Sequence, residues 1–345
     1  MPVRVVVNGI GTIGKRVAHA VTLQNDMKLV GISTRSPSFV LKTVLEPGAP
    51  LYGIDLWAAN QQSLETMRNA GMIVNGTLEE LLATGKVDVV VDCTTAGVGE
   101  TLKPLYQKYK VKQVFQGGEK AHVADLSFTA IASYEKALGA NSVRVVSCNT
   151  TSLVRTIYTI DEKFGVEEVF AALVRRAADP WEDEEGPINA IAPDLKVPSH
   201  HGPDVKTVLP NLNITSMAVK VPTTLAHFHM IHAKVKRETT TEELLETLRN
   251  GSRILTFKGS EGYTSTSKIL EKFRDLGRIR SDMYEVAVIE ELVAAKGKDV
   301  YWGHMVHQEA IVVPENIDAI RAMFELERDK FKSIEKTNKS LGIKH

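Results

Sequence analysis

Two cysteines in 345 residues cannot form a disulfide framework, and alone they cannot build a four-cysteine zinc site. No apolar run approaches the length of a membrane-spanning helix, so no membrane partner is expected. Net charge is missing as well. The 42 lysines and arginines balance 42 acids, which argues against wrapping a polyanion, and no nucleic-acid partner is expected. The opening MPVRVVVNGIG starts a strand at once and leaves no room for a signal peptide, so the default expectation is a cytoplasmic protein. What is present is ordinary for a globular chain: 43% hydrophobic and 24% charged residues, over a length that favours two domains.

The first half alternates. Residues 3–7 (VRVVV) read as a strand buried on both faces, the turn NGIGTIG follows, and KRVAHAVTL reads as a helix. KLVGIST (28–34), VDVVVDC (87–93), VKQVF and VRVVS (143–147) are further strands, and TLKPLYQKYK is helical. Thr77 and Glu80 form a capping-box pattern before LEELLATG. Strands alternating with helices imply an α/β, doubly wound parallel sheet of Rossmann type.

Gly9-x-Gly11-x-x-Gly14 sits between the first strand and the first helix, the context that a dinucleotide site demands. Glycines there let the backbone approach a pyrophosphate, and the helix N-terminus stabilises its charge. The second strand ends in Ser33-Thr34-Arg35-Ser36, with no acid to accept the ribose 2′-hydroxyl of NAD. Arg35, flanked by hydroxyls such as that of Thr34, suits a 2′-phosphate, so NADP is expected as the preferred cofactor, with NAD also accepted.

After residue 147 the pattern changes. VEEVFAALVRRAAD, MAVKVPTTLAHFHMIHAKVKRE and YEVAVIEELVAAKG read as long, partly alternating strands, and TTEELLETLRN as a helix with a threonine cap. The expectation is a dinucleotide-binding domain over 1–147 and an α+β catalytic domain with a largely antiparallel sheet over 148–313. One long helix, about 314–339, is expected to return to the first domain.

Cys148 falls where a strand gives way to a helix, at VRVVSCNTTSL. A helix starting at Asn149-Thr150-Thr151 would turn unpaired N–H groups and its positive dipole end toward the thiol, both of which favour the thiolate. Cys93 ends a buried strand and fits an inert small hydrophobe better. A catalytic thiol needs a base, and TTLAHFHMIH offers His227 and His229 on one strand face, with His232 on the other. The same His-x-His pair would suit zinc, but no acid or cysteine is close in sequence, and no metal is expected. Arg175-Arg176 and the loop Ser199-His200-His201-Gly202 are candidate anion-binding groups.

Together, NGIGTIGKRVA, SCNTTSL, RRAADP, GPINAI, HHGPD, PTTLAH and VHQEAIVVPENIDAIRA resemble the archaeal-type (type II) glyceraldehyde-3-phosphate dehydrogenases over nearly the whole chain. The resemblance implies Cys148 as nucleophile and His227 as its base, with His229 the second choice. It places Thr12, Ile13, Gly118, Arg176 and Gln308 at the cofactor. It places Ser147, Asn149, Thr150, Arg175, His200 and His201 around the sugar phosphate, with inorganic phosphate as co-substrate, in a homotetramer. The sequence leaves the family pattern at Ser152, where glycine is expected, at Pro198-Ser199 before the two histidines, and at STRSPSF after the second strand. The residues alone also allow a semialdehyde or acyl-phosphate reductase, or a non-catalytic cofactor-sensing protein.

Overall fold

Val5, Val6, Val7, Val89, Val90 and Val91 have no solvent exposure. β-Branched residues suit a pleated surface, and runs of them without polar alternation need cover on both faces of a sheet. In the structure, a computed structural model that describes residues 1–116 and 118–343, they lie at the centre of a parallel sheet. β1 (Val3–Asn8), β2 (Met27–Thr34), β3 (Leu56–Ala58), β4 (Val89–Asp92), β5 (Lys112–Phe115), β6 (Leu126–Phe128) and β7 (Ser142–Val145) are ordered β3-β2-β1-β4-β5-β7-β6. Their ladders are parallel throughout. Chain order reverses between β1 and β4, the switch point where doubly wound sheets open a crevice beyond the strand ends. The capping box forms as its residues suggest: the Glu80 carboxylate accepts the Thr77 N–H at 2.6 Å, and Thr77 Oγ1 accepts the Glu80 N–H at 3.2 Å.

The described chain divides into two compact units, residues 1–146 with 313–343, and residues 147–312. The expected single helix over 314–339 is two helices, Val313–Met323 and Lys330–Leu341. Between them Glu325 adopts a left-handed φ of 51°, and the Asp329 side chain caps the second helix by accepting the N–H groups of Phe331 and Lys332. An aspartate so placed starts a new helix instead of continuing the old one. Within the first unit, buried Arg321 clamps these helices to the sheet layer through Asp26 (2.7 Å), Gln24 (2.6 Å) and Thr337 (2.5 Å).

The second unit is built on a mixed sheet. β8 (Val166–Arg176), β9 (Ala192–Pro193), β10 (Asn213–Val221), β11 (His227–Val235), β12 (Ile254–Phe257), β13 (Val286–Ile289) and β15 (Asp299–Val306) are ordered β12-β13-β15-β11-β8-β10-β9. β14 (Ala294–Lys296) lies beside β15. β8 pairs β10, and β12 pairs β13, in parallel, while the other ladders are antiparallel. One face is covered by the helix Cys148–Phe164, which contacts β8, β11 and β15. Burial therefore alternates: His227, His229, Ile231, Ala233 and Val235 are buried, whereas Met230 points out and Phe228 and His232 are half-buried.

Candidate active site

In the first unit the glycines divide by what surrounds them. Gly9 has φ +91°, and a Cβ on Gly14 would fall 1.8 Å from the Gly9 carbonyl oxygen, so both are required by the turn itself. Gly11 differs: apart from its chain neighbours, no described atom lies within 4 Å of where its Cβ would be. The helix Gly14–Thr22 follows, entered through Thr12 and Ile13. Its start has no side-chain cap among the described residues and no acid in the first turn. The N–H groups of Lys15, Arg16 and Val17 already bond back to the carbonyls of Gly11 and Ile13 at 3.2, 2.9 and 3.0 Å, so it is the turn at Gly11 just before them that lies open to an anion. The neighbouring helix Val98–Lys108 is closed by contrast. The Glu119 carboxylate accepts the Gly97 and Gly99 N–H groups at 2.8 and 2.9 Å, just after Gly118 turns with φ +81°. At the end of β2 Ser33 is buried, Thr34 is half-buried, and Arg35 is exposed with no ion-pair or hydrogen-bond partner among the described residues. An open glycine turn, one uncapped helix start and an unpaired cation at an acid-free strand end fit a dinucleotide.

In the second unit Ser147 caps the long helix by accepting the Thr150 N–H, and Cys148 is its first residue. The thiol lies at the expected helix start. Its Sγ is 3.7 Å from His227 Nε2. Burial pushes the thiol up to about 11, against the downward pull of Arg176, the Asn149 N–H and Arg175. The lowering anticipated from the helix start is present but outweighed, because the sulfur is sequestered from water. Cys93 is held well above the ordinary thiol range by burial and by adjacent Asp92, with no cationic counterweight.

His227 is buried, which holds it well below the ordinary histidine range, with Arg176 and Arg175 adding to the effect. Its Nδ1 accepts the backbone N–H of Arg176 at 3.0 Å. A backbone N–H is always the donor, so Nδ1 carries no proton and the neutral ring presents Nε2–H on the side of the sulfur. Gln308 also hydrogen-bonds the His227 ring and favours its protonation. The Arg176 guanidinium bonds the Ala178 carbonyl and Asp179, and lies 3.7 Å from buried Glu309. Glu309 raises the thiol further, and nothing in its sequence neighbourhood pointed to it.

The anion-binding group is only partly as expected. His200 is exposed, and Arg175 is half-buried with its guanidinium 3.7 Å from Asp194. His201 is buried beneath His200, ring centroids 3.8 Å apart, and both its nitrogens are engaged: Nε2 with Asn149 at 3.3 Å and Nδ1 with Ser199 at 3.1 Å. Burial pushes it down to about 3, so it is neutral. Thr150, expected beside the substrate, is fully buried and donates its hydroxyl to Asp204 at 2.5 Å. Buried Asn149 is likewise committed at both ends of its amide. His229, the second candidate base, has its two nitrogens engaged with Asn149, Ser152 and His304. Asp194, His200 and His201 place potential ligand atoms within 4.8 Å of one another. Arg175, which bears on both histidines, opposes a cation there.

A doubly wound parallel sheet with an open glycine turn, joined in one chain to an α+β unit, defines a nicotinamide-dependent oxidoreductase. Comparison with known proteins narrows this. Residues 147–295 match the family model "Glyceraldehyde 3-phosphate dehydrogenase, C-terminal domain", and residues 3–131 match "Dihydrodipicolinate reductase, N-terminus". The chain is 53% identical over 343 residues to a glyceraldehyde-3-phosphate dehydrogenase of Pyrococcus abyssi and 50% identical over 343 residues to that of Thermococcus kodakarensis, covering 99% of each chain. It is 49% identical to glyceraldehyde-3-phosphate dehydrogenase 2 of Methanosarcina barkeri, covering 99% of this chain and 98% of that one. The chain belongs to the glyceraldehyde-3-phosphate dehydrogenase family, in its archaeal-type branch.

Proposed function

We propose that this chain catalyses the phosphorylating oxidation of D-glyceraldehyde 3-phosphate, with inorganic phosphate and NAD(P)+, to 1,3-bisphosphoglycerate. The observation that carries the reading is the approach of Cys148 Sγ to His227 Nε2 at a helix start, with Arg175 and Arg176 acting on both groups. Cys148 is the nucleophile. Its proton leaves for solvent, and the thiolate adds to the aldehyde carbon to give a thiohemiacetal alkoxide. His227 donates through Nε2–H to that oxygen, the charge-stabilising task its resting tautomer allows. Its expected role as base requires the ring proton to move to Nδ1 and the Arg176 N–H contact to open.

The dinucleotide, held by Gly9, Gly11, Thr12, Ile13 and Gly14 with Gly118 nearby, supplies C4 of the nicotinamide as hydride acceptor. Loss of hydride from the substrate carbon turns the alkoxide into a thioester on Cys148. An oxygen of inorganic phosphate attacks that carbon, the C–S bond breaks, and the thiolate is restored. Arg175 and exposed His200 are the groups available to anionic oxygens, while Ser147 caps the helix that carries Cys148 and buried Asn149 and His201 hold each other. Arg176 and Gln308, assigned to the cofactor by resemblance, bear in this geometry on Cys148 and His227.

Arg35 supports a preference for NADP over NAD. Phe170, Met217, Met230 and Tyr301 leave an exposed apolar face on β8, β10, β11 and β15, which supports self-association into the homotetramer. Both thiols are free, in keeping with a reducing cytoplasmic setting, and no described helix is long and apolar enough to cross a membrane. The decisive assay is reduction of NADP by glyceraldehyde 3-phosphate with and without inorganic phosphate. Turnover that ignores phosphate would favour a semialdehyde or acyl-phosphate reductase, and cofactor binding without turnover would favour a sensing protein. Light scattering on the purified protein tests the tetramer.

A further inference from the structure

A buried line of polar side chains runs beneath the anion-binding loop, and the chemistry above uses only part of it. His304 Nε2 is 3.1 Å from His229 Nδ1, His229 Nε2 is 2.9 Å from Asn149 Oδ1, and Asn149 Nδ2 is 3.3 Å from His201 Nε2. His201 Nδ1 is 3.1 Å from Ser199 Oγ, which is 2.8 Å from Ser216 Oγ. All of these residues are at least 95% buried. Ser216 Oγ also accepts the Gly202 backbone N–H at 2.9 Å and donates to the Ser199 carbonyl at 3.1 Å.

The direction of the line can be worked out. His229 Nε2 faces Asn149 Oδ1, an amide oxygen that can only accept, so Nε2 carries the ring hydrogen and Nδ1 of the neutral ring is a lone pair. If His304 Nε2–H donates to His229, each hydrogen onward finds one acceptor: His229 to Asn149, Asn149 to His201, His201 to Ser199, Ser199 to Ser216. The one atom left over is His304 Nδ1, which has no partner among the described residues and is then a bare lone pair. Reversal would need the Asn149 amide turned over, and would then bury an N–H donor at that atom without an acceptor, the costlier defect. The forward direction is the favoured one. All three histidines must be neutral for it to hold, and burial keeps His304 and His201 at about 3 and His229 well below its ordinary range.

We propose that His304 and His229 are positioning residues for the substrate-anion loop: through the Asn149 amide they fix the ring of His201, and His201 fixes exposed His200, which is stacked on it and continues the same loop. This rests on the assignment of that loop to phosphate binding. It also explains why His229 is unavailable as a base.

The test compares His304→Leu, which cannot donate, with His304→Gln, whose terminal amide replaces the Nε2–H. Calorimetric binding of inorganic phosphate to the whole protein should weaken roughly tenfold in the leucine variant and recover most of the loss in the glutamine variant. In assays, KM for phosphate should rise by a similar factor while kcat and the alkylation rate of Cys148 stay within about twofold of the parent. Equal phosphate affinity in all three proteins, or an equal loss in both variants, would overturn the proposal. If His304→Leu does not fold, His304→Asn, with its shorter reach, takes its place. A parent protein that binds phosphate but lacks phosphate-dependent turnover would count against the dehydrogenase reading, and the calorimetric comparison would still decide this one.

Discussion

In residues 1–146 the features suited to hold a ligand belong to the backbone: glycine φ angles, open space at Gly11, and a helix start with no side-chain cap among the described residues. In residues 147–312 they belong to side chains drawn from distant segments: Cys148 from a helix, His227 from β11, and Arg175 and Arg176 from β8, with His229 and His304 buried behind them. The histidines follow the same division. Among the described residues, His19 and His122 lie in the first unit, against His200, His201, His227, His229, His232, His304 and His307 in the second. A backbone site tolerates change in most side chains but not in its glycines. A convergent side-chain site depends on each partner being neutral, dry and correctly paired.

The largest expected effect falls on the second unit. Cys148→Ser should lower turnover by on the order of 10⁴-fold or more while leaving NADP binding within a few-fold of the parent. Cys93→Ser should leave turnover intact. In the parent, iodoacetamide should label Cys148 before Cys93 as pH rises, because only Cys148 has arginines opposing its burial. Substantial activity in Cys148→Ser would remove the thioester mechanism.

His227→Asn should slow turnover by roughly 10²–10⁴-fold. His227→Gln sharpens the point, since its amide N–H can stand in for a donor at Nε2 but not for a base. A loss in the glutamine variant at least tenfold smaller than in asparagine would identify donation as the main task. Equal losses would restore the base.

The corresponding test of the first unit is milder. Arg35→Ala should weaken NADP about ten- to hundredfold while sparing NAD, and Thr34→Asp should reverse the preference. Matched losses for both cofactors would show that Arg35 does not read the 2′-phosphate.

A last effect leaves the chemistry at pH 7 untouched and concerns stability. His201, His227, His229 and His304 stay neutral when folded, but in the unfolded chain they take up protons below a pH of about 6.5. The unfolded state then binds more protons, so stability is full above that pH and falls toward pH 3, where His201 and His304 titrate. Each histidine contributes up to about 1.4 kcal/mol per pH unit. Urea midpoints should therefore drop between pH 7 and pH 5, and unchanged midpoints would show that these rings are charged or wet.

The parallel sheet and its glycine turn were legible because local periodicity and spacing encode them. Cys148 was legible because a strand-to-helix junction is a local event, and the alternation of His227 and His229 follows from strand parity. The rest was not local. Glu119 closes a helix start from 20 residues away, and Glu309 reaches Arg176 across the fold. The commitments of Asn149, Thr150 and His201 to buried partners became visible only once the strands were aligned. The helix break at Asp329 was missed because the amphipathic pattern runs through it while the cap depends on one side chain. Ser152 and Ser199, both departures from the family pattern, flank the Asn149–His201 pair and hydrogen-bond to it.

β11 carries two different surfaces on alternate residues, the buried imidazoles of His227 and His229 on one and exposed Met230 on the other. Its evolution is therefore constrained by parity as well as by residue type. An insertion or deletion of one residue inside this strand would exchange the two surfaces beyond that point, bringing methionine into the imidazole cluster and histidine onto the apolar face. A change of two residues would keep each surface on its own side. Length variation in this strand should thus come in even steps, and single-residue changes should gather in the connection 222–226 before it.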